Sequence, residues 1–395
     1  MQNYDDYLAP LAEAMDEDYA LADPRENAER TLRYSNALYT AAARRELDEV
    51  LMARILEAYT ADFGDRAAEL VSPLLPRWPV RAIRQGEALV ITDPGGDGRL
   101  VPGDRVMAAD GVPIPDYARR VRRRLTSEDP ARECWDTALA RAEELTLERD
   151  GGRFVLRPFA VPLEPGPAVT LSREGGCVLL RIRRLDDPGA IRSGSARCRG
   201  AERVIVDLRG CGEGEGSALL PLYELLAGEE TELVTPEPGE TVRTNYSPRN
   251  CARLLALLAP LEEREDETGA AARDHAARIR SLSGRGLLSD ASSAERRRIA
   301  PACGTAALLT DGYTGSVCRR LLRFASGCAL TAGRTPMAGR GTFRALTVPL
   351  SPTLRLRLPV SVTDAEDCPA PALQIPWSPE ELRRDAVLEA ALEAL

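Results

Sequence analysis

A serine at the start of a helical pattern is the residue best placed for chemistry in this sequence. Ser316 follows an apolar run, residues 306–310, that predicts a buried strand, and then the small residues Thr314 and Gly315, which suit a sharp strand-to-helix turn. The exposed N–H groups and positive dipole end of a helix N-terminus would stabilise negative charge there, which is the setting of a nucleophile. The competing interpretation is an N-cap serine, which would only stabilise the helix.

A second candidate region is a glycine-rich turn earlier in the chain. Residues 203–208 form a continuous apolar, β-branched run that predicts a buried strand of a parallel sheet. The run ends in RGCGEGEG, and a helical pattern follows. Because ligands favour the carboxyl ends of such strands, the N–H groups of Gly212 and Gly214 are candidates for binding an anion or an oxyanion. The segment is neither a G-x-G-x-x-G fingerprint nor a P-loop, which disfavours a nucleotide.

The residues that usually accept a proton in catalysis are almost missing from the chain. All 52 of its Lys+Arg residues are arginine, and His275 is its single histidine. An arginine stays protonated near neutral pH and therefore cannot act as a general base. The simplest interpretation of His275, amid Arg, Asp and Ala, is an exposed surface histidine. A carboxylate with a raised pKa is the remaining candidate base, and the sequence does not single one out.

Composition narrows the class of protein. The chain has 395 residues, enough for two or three domains, with 44% hydrophobic and 29% charged residues, as in a globular protein. The net charge of -9 argues against nucleic acid as a partner. We expect no secretory signal and no membrane span. The nine cysteines show no metal-ligand spacing, so we expect reduced thiols, a cytoplasmic location, no metal and no cofactor.

The patterns predict an α/β protein in three parts. Residues 1–75 have apolar residues at helical spacing and are expected to form a helical N-terminal cap. Residues 76–162 alternate short strands with turns, with Asp116 as an expected helix cap. Residues 163–395 are expected to form the core domain after a proline-rich linker.

Two helical features are predicted within the core. A helical hairpin is expected as an insertion at about 246–298, with breaks at Pro260 and Gly269. A terminal helix is expected to begin after Ser378, with Glu381 completing a capping box.

Several motifs in order resemble a known family. Residues 100–123 hold a Leu-x-Pro-Gly-Asp turn, a strand and an Asp-Gly turn, which resemble the second half of a PDZ domain. After them come a strand ending in Asp-Leu-Arg-Gly, a strand–turn–serine–helix segment, and a loop with Gly-Arg-Thr and Gly-Arg-Gly. This order resembles the tail-specific, or carboxyl-terminal processing, serine peptidases, with tricorn-type and retinoid-binding-protein-type relatives. Over about residues 76–395, the resemblance implies a PDZ-like module and a crotonase-like ββα sheet core.

The resemblance also implies roles for individual residues. Ser316 would be the nucleophile, and Val317 would lend its N–H to an oxyanion hole. Gly212 and Gly214 would supply the other oxyanion donor. Extended peptide or unfolded polypeptide would be the substrate.

The family's general base is where this chain departs from the pattern. Bacterial processing proteases carry a lysine in a Gly-Lys-Gly loop, and this chain has Gly339, Arg340 and Gly341 there. The acid that often follows the nucleophile three positions later is Arg319. One hypothesis is therefore a serine peptidase that uses another base. The other is an inactive pseudopeptidase that binds or scaffolds peptides, in which Arg340 holds a carboxylate such as a peptide C-terminus.

Overall fold

We describe the protein from a computed structural model covering residues 5–75, 78, 80–125, 127–158, 166–212, 214, 216–237, 240–290, 295–337, 341–364 and 368–395. Gly339 and Arg340 lie outside the described residues, as do Pro76 and most of the predicted linker. Within the described ranges no helix is both long and apolar enough to cross a membrane.

The N-terminal segment is mainly helical. Its elements are α1 (Asp5–Glu13), a π-helical turn (Ala14–Asp18), α2 (Pro24–Ala43), α3 (Glu49–Ala61) and the short strand β1 (Glu69–Val71). Aspartates begin two of the helices: Asp23 accepts a hydrogen bond from the Arg25 N–H, and Asp48 accepts one from the Leu51 N–H. Cap residues of this kind satisfy N–H groups that the helix itself leaves without a partner.

These helices pack on the apolar face of an antiparallel sheet. It contains β1 and the strands β12 (Val242–Tyr246), β13 (Gly286–Asp290), β17 (Thr342–Pro349) and β18 (Arg355–Thr363). The strand order is β1-β18-β12-β13, with β17 also paired to β18. Leu11 and Leu56 from the helices share one core with Leu356 and Leu358 of β18. Residues from both ends of the chain therefore build this core.

A second sheet forms from residues 81–156 around its own core. Its strands are β2 (Arg81–Gln85), β3 (Ala88–Asp93), β4 (Arg105–Ala109), β5 (Val112–Pro113), β6 (Leu145–Arg149) and β7 (Gly152–Leu156). The helices that accompany it are α4 (Ile114–Arg120), α5 (Arg122–Leu125) and α6 (Asp136–Ala140). The order is β2-β3-β4-β6-β7, with β5 on β4. Asp116 does not cap α4, because the helix already begins at Ile114 behind Pro113, which places Asp116 in its first turn.

The central sheet holds the strands that the sequence indicated most strongly. Its members are β8 (Val169–Glu174), β9 (Cys177–Ile182), β10 (Arg203–Asp207), β15 (Thr305–Thr310), β16 (Leu330–Gly333) and β19 (Leu373–Gln374). The order is β19-β16-β15-β10-β9-β8, and every neighbouring pair is parallel except β8 with β9.

Helices cover both faces of the central sheet. They are α7 (Pro188–Cys198), α8 (Leu220–Leu226), α11 (Arg319–Cys328) and α12 (Ala386–Ala394). Val206 and Leu308 face α7, α8 and α11, whereas Ile205 and Leu309 face α12. Strands buried on both faces require continuous apolar runs, which is why β10 and β15 were readable in the sequence.

The predicted insertion is only partly helical. Its helices are α9 (Pro248–Glu262) and α10 (Glu267–Leu282), and the strands β11 (Thr231–Thr235) and β14 (Glu295–Ile299) pair beside it. The predicted breaks are wrong in detail: Pro260 lies in the last turn of α9, and Gly269 lies in the first turn of α10. The break between the helices falls at Asp266, which caps α10 by accepting a hydrogen bond from the Gly269 N–H.

The C-terminal segment begins with the predicted capping box. Ser378 and Glu381 form it, but it starts a 3₁₀ turn (Pro379–Leu382) instead of the long helix. A new cap at Asp385, which accepts from the Leu388 N–H, starts α12.

Candidate functional site

The two turns singled out in the sequence meet at the carboxyl edge of the central sheet. β10 and β15 are parallel neighbours, with Asp207 opposite Leu309, so the segments that follow them leave the sheet side by side. The Gly212 N–H donates to the Tyr313 carbonyl at 3.2 Å. We call residues 208–212 the glycine turn and residues 311–315 the serine turn. The sheet therefore brings Gly212 close to the residues just before Ser316.

Asp311 and Thr314 join the two turns through their side chains. The Asp311 carboxylate accepts from the Gly210 N–H at 2.9 Å and from the Tyr313 N–H at 3.0 Å. The Thr314 hydroxyl lies 3.0 Å from the Leu208 carbonyl and 2.9 Å from the Asp311 N–H. Thr314 is fully buried, so these bonds satisfy polar groups that water does not reach. Polar residues at the end of a strand were the only sequence indication of either role.

Ser316 begins a 3₁₀ turn (Ser316–Cys318) that leads into α11. Gly315 occupies the N-cap position with extended backbone, so the interpretation of Ser316 as the N-cap residue is wrong. Ser316 is half-buried. Its hydroxyl is thus carried on the first residue of a helical segment at the edge of a parallel sheet, which suits a nucleophile.

Glycines are needed around this site for steric reasons. A Cβ on Gly214 would lie 2.4 Å from the Leu185 Cβ, closer than any packed pair of carbons. Gly210 has φ +72°, and a Cβ there would collide with the Arg81 guanidinium. Gly214 is therefore required by close packing, and Gly210 by its positive φ, whereas a Cβ on Gly212 would meet no atom within 4 Å.

Buried ion pairs hold the glycine turn to the C-terminal helix. Arg209 contacts the Asp207 carboxylate at 2.9 Å and the Asp385 carboxylate at 2.6 Å, and Arg181 contacts Asp207 at 2.9 Å. Burial of Asp207 opposes its ionisation, but the charges and hydrogen bonds of the two arginines outweigh it and lower its pKa to about 2. The sequence identified this segment as a motif but gave no indication of Asp385, which is far away along the chain.

Tyr313 fastens the serine turn to the second sheet. Its hydroxyl donates to the Ala82 carbonyl at 2.7 Å and accepts from the Ala82 N–H at 3.1 Å and the Trp135 N–H at 3.3 Å. Burial raises the pKa of Tyr313 well above its ordinary value, so the hydroxyl keeps its proton. Nearby, the Cys134 thiol donates to the Gly312 carbonyl at 3.2 Å. An aromatic residue between two turn residues was the only sequence signal for this role.

Arginines on α11 surround a buried carboxylate close to the first turn of that helix. Glu240 accepts from Arg319 at 2.9 Å, from Arg320 at 2.7 Å and from the Thr363 hydroxyl at 2.7 Å. Burial opposes ionisation of Glu240, but the Thr363 hydrogen bond and Arg320 outweigh it, so its pKa is lowered. A carboxylate with a lowered pKa and these partners is a weak proton acceptor. Glu240 is therefore a structural counter-ion to Arg319 and not a suitable general base.

Two further residues singled out in the sequence, His275 and Gly341, lie outside the glycine turn and the serine turn. His275 is half-buried on α10, so its interpretation as an exposed surface histidine is wrong; α10 reaches the core of the N-terminal helices through Ile279. The Gly341 carbonyl accepts from the Thr363 N–H at 2.8 Å, next to Glu240. Across the described ranges, no three His, Cys, Asp or Glu side chains are grouped so that they could hold a metal ion.

Comparison with known proteins identifies the fold. No family model matches the sequence, and no curated protein matches it. Among solved structures, mature CPAF complexed with lactacystin matches with a TM-score of 0.57 and 13% identity over 100% of this chain and 97% of that chain. A Ser-to-Ala mutant of CPAF matches with a TM-score of 0.56 and 13% identity over 99% of this chain and 96% of that chain.

A processing protease also appears among the matches. The photosystem II D1 C-terminal processing protease matches with a TM-score of 0.44 and 12% identity over 100% of this chain and 98% of that chain. At the identity of the CPAF match, similarity concerns the fold. CPAF is a tail-specific or S41-type peptidase, so the resemblance inferred from the sequence is confirmed as a shared mixed α/β fold with several sheets.

Proposed function

We propose that this protein is a serine-peptidase-like protein that binds extended polypeptide beside Ser316, with the Ser316 hydroxyl as the nucleophile. The observation that carries the proposal is the junction of the glycine turn and the serine turn through the Gly212–Tyr313 hydrogen bond, on a fold shared with CPAF. Nucleophile and oxyanion donors must lie within reach of one carbonyl group, and this junction supports that arrangement.

The finer architecture belongs to the same proposal. The sheet β2–β7 with its own core supports a PDZ-like module at residues 76–162. The parallel sheet with helices on both faces supports a crotonase-like core at 163–395, with residues 1–75 as the cap and 246–298 as the insertion. The reduced thiols of all nine cysteines support a reducing compartment such as the cytoplasm.

We assign the oxyanion donors by position. Gly214 follows the glycine turn, and Val317 follows the nucleophile within the 3₁₀ turn, so their N–H groups are the candidates that the family pattern and the fold support together. The Gly212 N–H is already directed to the Tyr313 carbonyl, which gives Gly212 the role of aligning the two turns.

A fluorophosphonate probe, which modifies activated serines, tests the proposal. We expect the wild-type chain to be labelled and Ser316→Ala to be unlabelled. Ser326→Ala is a matched control because Ser326 lies on α11 with its hydroxyl bonded to the Leu322 carbonyl, and this variant should label like the wild type. Absence of labelling on the folded wild-type chain, or equal labelling of Ser316→Ala, would exclude an activated nucleophile.

The pseudopeptidase is the second candidate function, and the state of Glu240 favours it. The carboxylate that faces the first turn of α11 is committed to Arg319, Arg320 and Thr363, so it does not replace the missing lysine. In this alternative the surface beside Ser316 binds peptides without turnover, and Arg340 with Gly339 and Gly341 receives a carboxylate.

Peptide display with random C-termini distinguishes this alternative. Wild type should select peptides with free carboxylates, and Arg340→Ala should lose that preference. Arg355→Ala, which changes an exposed arginine on β18, should keep it. Selection that persists unchanged in Arg340→Ala would refute carboxylate binding by Arg340.

A further inference from the structure

We propose that Cys211 and Cys318 are a site of reversible oxidation that forms a disulfide between the glycine turn and the helical segment that begins at Ser316. Their sulfur atoms lie 3.8 Å apart, although the residues are separated by 107 positions in sequence. Both side chains are buried, with Cys211 4% and Cys318 0% exposed. This inference concerns thiol chemistry and does not depend on whether Ser316 is a nucleophile.

The backbone already holds the two cysteines in position. Cys211 lies between Gly210, whose N–H donates to Asp311, and Gly212, whose N–H donates to Tyr313. Cys318 is fixed by its own N–H, which donates to the Gly315 carbonyl at 3.0 Å. A disulfide has a sulfur–sulfur distance of about 2.05 Å, so the two atoms must approach by roughly 1.8 Å for the bond to form.

The reaction requires a two-electron oxidant, for which we name a hydroperoxide. The Cys211 thiolate attacks a peroxide oxygen, which gives a sulfenic acid at Cys211 and, with hydrogen peroxide, one molecule of water. The Cys318 thiolate then attacks the Cys211 sulfur, the S–S bond forms, and the sulfenic oxygen leaves as a second water. Two thiols and one hydrogen peroxide therefore give one disulfide and two waters. Cys211 reacts first because it is the more exposed of the pair.

Contacts of other cysteines explain why this pair is selected. The Cys198 thiol donates to the Gly194 carbonyl at 3.4 Å, and the Cys303 thiol donates to the Leu225 carbonyl at 3.0 Å. Cys368 has its sulfur 3.9 Å from the Ser316 carbonyl oxygen. These sulfur atoms lie against backbone oxygens. The Cys211 sulfur also lies 3.6 Å from the Gly212 carbonyl oxygen, but it has in addition the Cys318 sulfur as a neighbour at 3.8 Å.

Peptide mapping of the oxidised full chain tests the proposal. The native protein is treated with hydrogen peroxide, denatured, alkylated and digested without reduction. We expect the number of titratable thiols to fall from nine to seven, with one linked peptide that contains Cys211 and Cys318. Dithiothreitol should restore all nine. An unchanged count of nine, a bridge from either residue to Cys368, or oxidation to sulfinic acid without a bridge would overturn the proposal.

Variants separate a specific bridge from general oxidation. Cys211→Ser and Cys318→Ser should each lack the linked peptide, and a thermal melt shows that each variant is folded before treatment. If a serine variant is unfolded, the corresponding alanine variant takes its place, because alanine leaves no buried hydroxyl to satisfy. Cys251→Ser, which changes a buried cysteine in the core of the N-terminal helices, should still form the bridge. Loss of the bridge in this folded control would show that the bridge does not depend on the local geometry of the pair.

Discussion

The glycine turn and the serine turn leave neighbouring strands of one sheet, yet different forces hold them. Ion pairs fix the start of the glycine turn, where Arg209 lies between the carboxylates of Asp207 and Asp385. The hydroxyl groups of Thr314 and Tyr313 fix the serine turn, through the Leu208 carbonyl and through the second sheet. The glycine turn is thus supported by ion pairs and the serine turn by hydrogen bonds, which include those that the Asp311 carboxylate accepts from the Gly210 and Tyr313 N–H groups.

The two turns also take their support from different elements of the fold. Asp385 caps α12 at the end of the chain, so the C-terminal helix anchors the glycine turn. Ala82 lies on β2, so the second sheet anchors the serine turn. The comparison shows that α12 and the second sheet both support the backbone near Ser316, and that each support can be removed separately.

Removal of the Arg209 side chain should have the largest effect on the unfolding free energy. Arg209→Ala leaves the buried Asp207 with Arg181 as its remaining ion-pair partner, and breaking a buried ion pair from one side costs about 3–5 kcal/mol of unfolding free energy. Denaturation in guanidinium chloride measures this loss. Arg296→Ala is the control, because the Arg296–Glu232 pair is solvent-exposed and should change stability by less than about 1 kcal/mol. Equal losses in both variants would show that burial of the ion pair does not matter.

Removal of the tyrosine hydroxyl should have the next largest effect. Tyr313→Phe keeps the ring but deprives the Ala82 and Trp135 backbone groups of their partner, and each buried group left unsatisfied costs about 1–3 kcal/mol. We expect a loss of about 3 kcal/mol in the same denaturation experiment. Tyr39→Phe, at an exposed position on α2, should leave the stability unchanged. A stable Tyr313→Phe variant would mean that water replaces the hydroxyl.

Acid should distinguish the two kinds of support. The pKa of Asp207 is lowered from 3.8 to about 2, so its stabilising contribution is fully present above pH 3.8 and is lost as the pH falls through 2. This shift corresponds to about 2 kcal/mol. Unfolding free energies measured between pH 5 and pH 2 should therefore decrease less steeply for Asp207→Asn than for wild type. Tyr313→Phe should retain the wild-type dependence of unfolding free energy on pH. A weaker dependence in that variant would contradict the distinction between the ion pairs of Asp207 and the hydrogen bonds of the Tyr313 hydroxyl.

The smallest effect on stability is expected at Ser316 itself. Ser316 is half-buried and is not the N-cap residue, and a single hydrogen bond contributes about 1 kcal/mol, so Ser316→Ala should lower the unfolding free energy by about 1 kcal/mol at most. Thermal unfolding is a sufficient measurement. A large loss would assign the serine to the support of the turn, and the labelling experiment would then require a different variant.

The sequence predicted the elements whose burial leaves a local signature. β10 and β15 differ from their predicted bounds by a single residue, because strands covered on both faces are largely apolar. The chain order of the motifs then indicated a tail-specific peptidase fold, which the likeness to CPAF confirms. Local apolar patterns and the order of the motifs were therefore sufficient to predict these strands and the fold.

Charged strands and contacts between residues far apart in the chain could not be predicted from the sequence. β14 has the sequence ERRRI and was predicted as part of the helical insertion, but it pairs with β11, where Arg296 contacts Glu232 and Arg298 contacts Glu230. The intrinsic pattern of such a strand resembles a polar helix, and only its partner determines its structure. The contacts of Arg209 with Asp385 arise in the same way, since no local pattern records a partner 176 residues away.

The Tyr313 hydroxyl has a mechanical consequence. The second sheet cannot rotate against the central sheet without first stretching the hydrogen bonds at Ala82 and Trp135. A load on that sheet is therefore delivered in part to Tyr313, three residues before Ser316, and in part through Arg81 to the Gly210 carbonyl. Tyr313 acts as a tether through which tension on one part of the molecule reaches the serine.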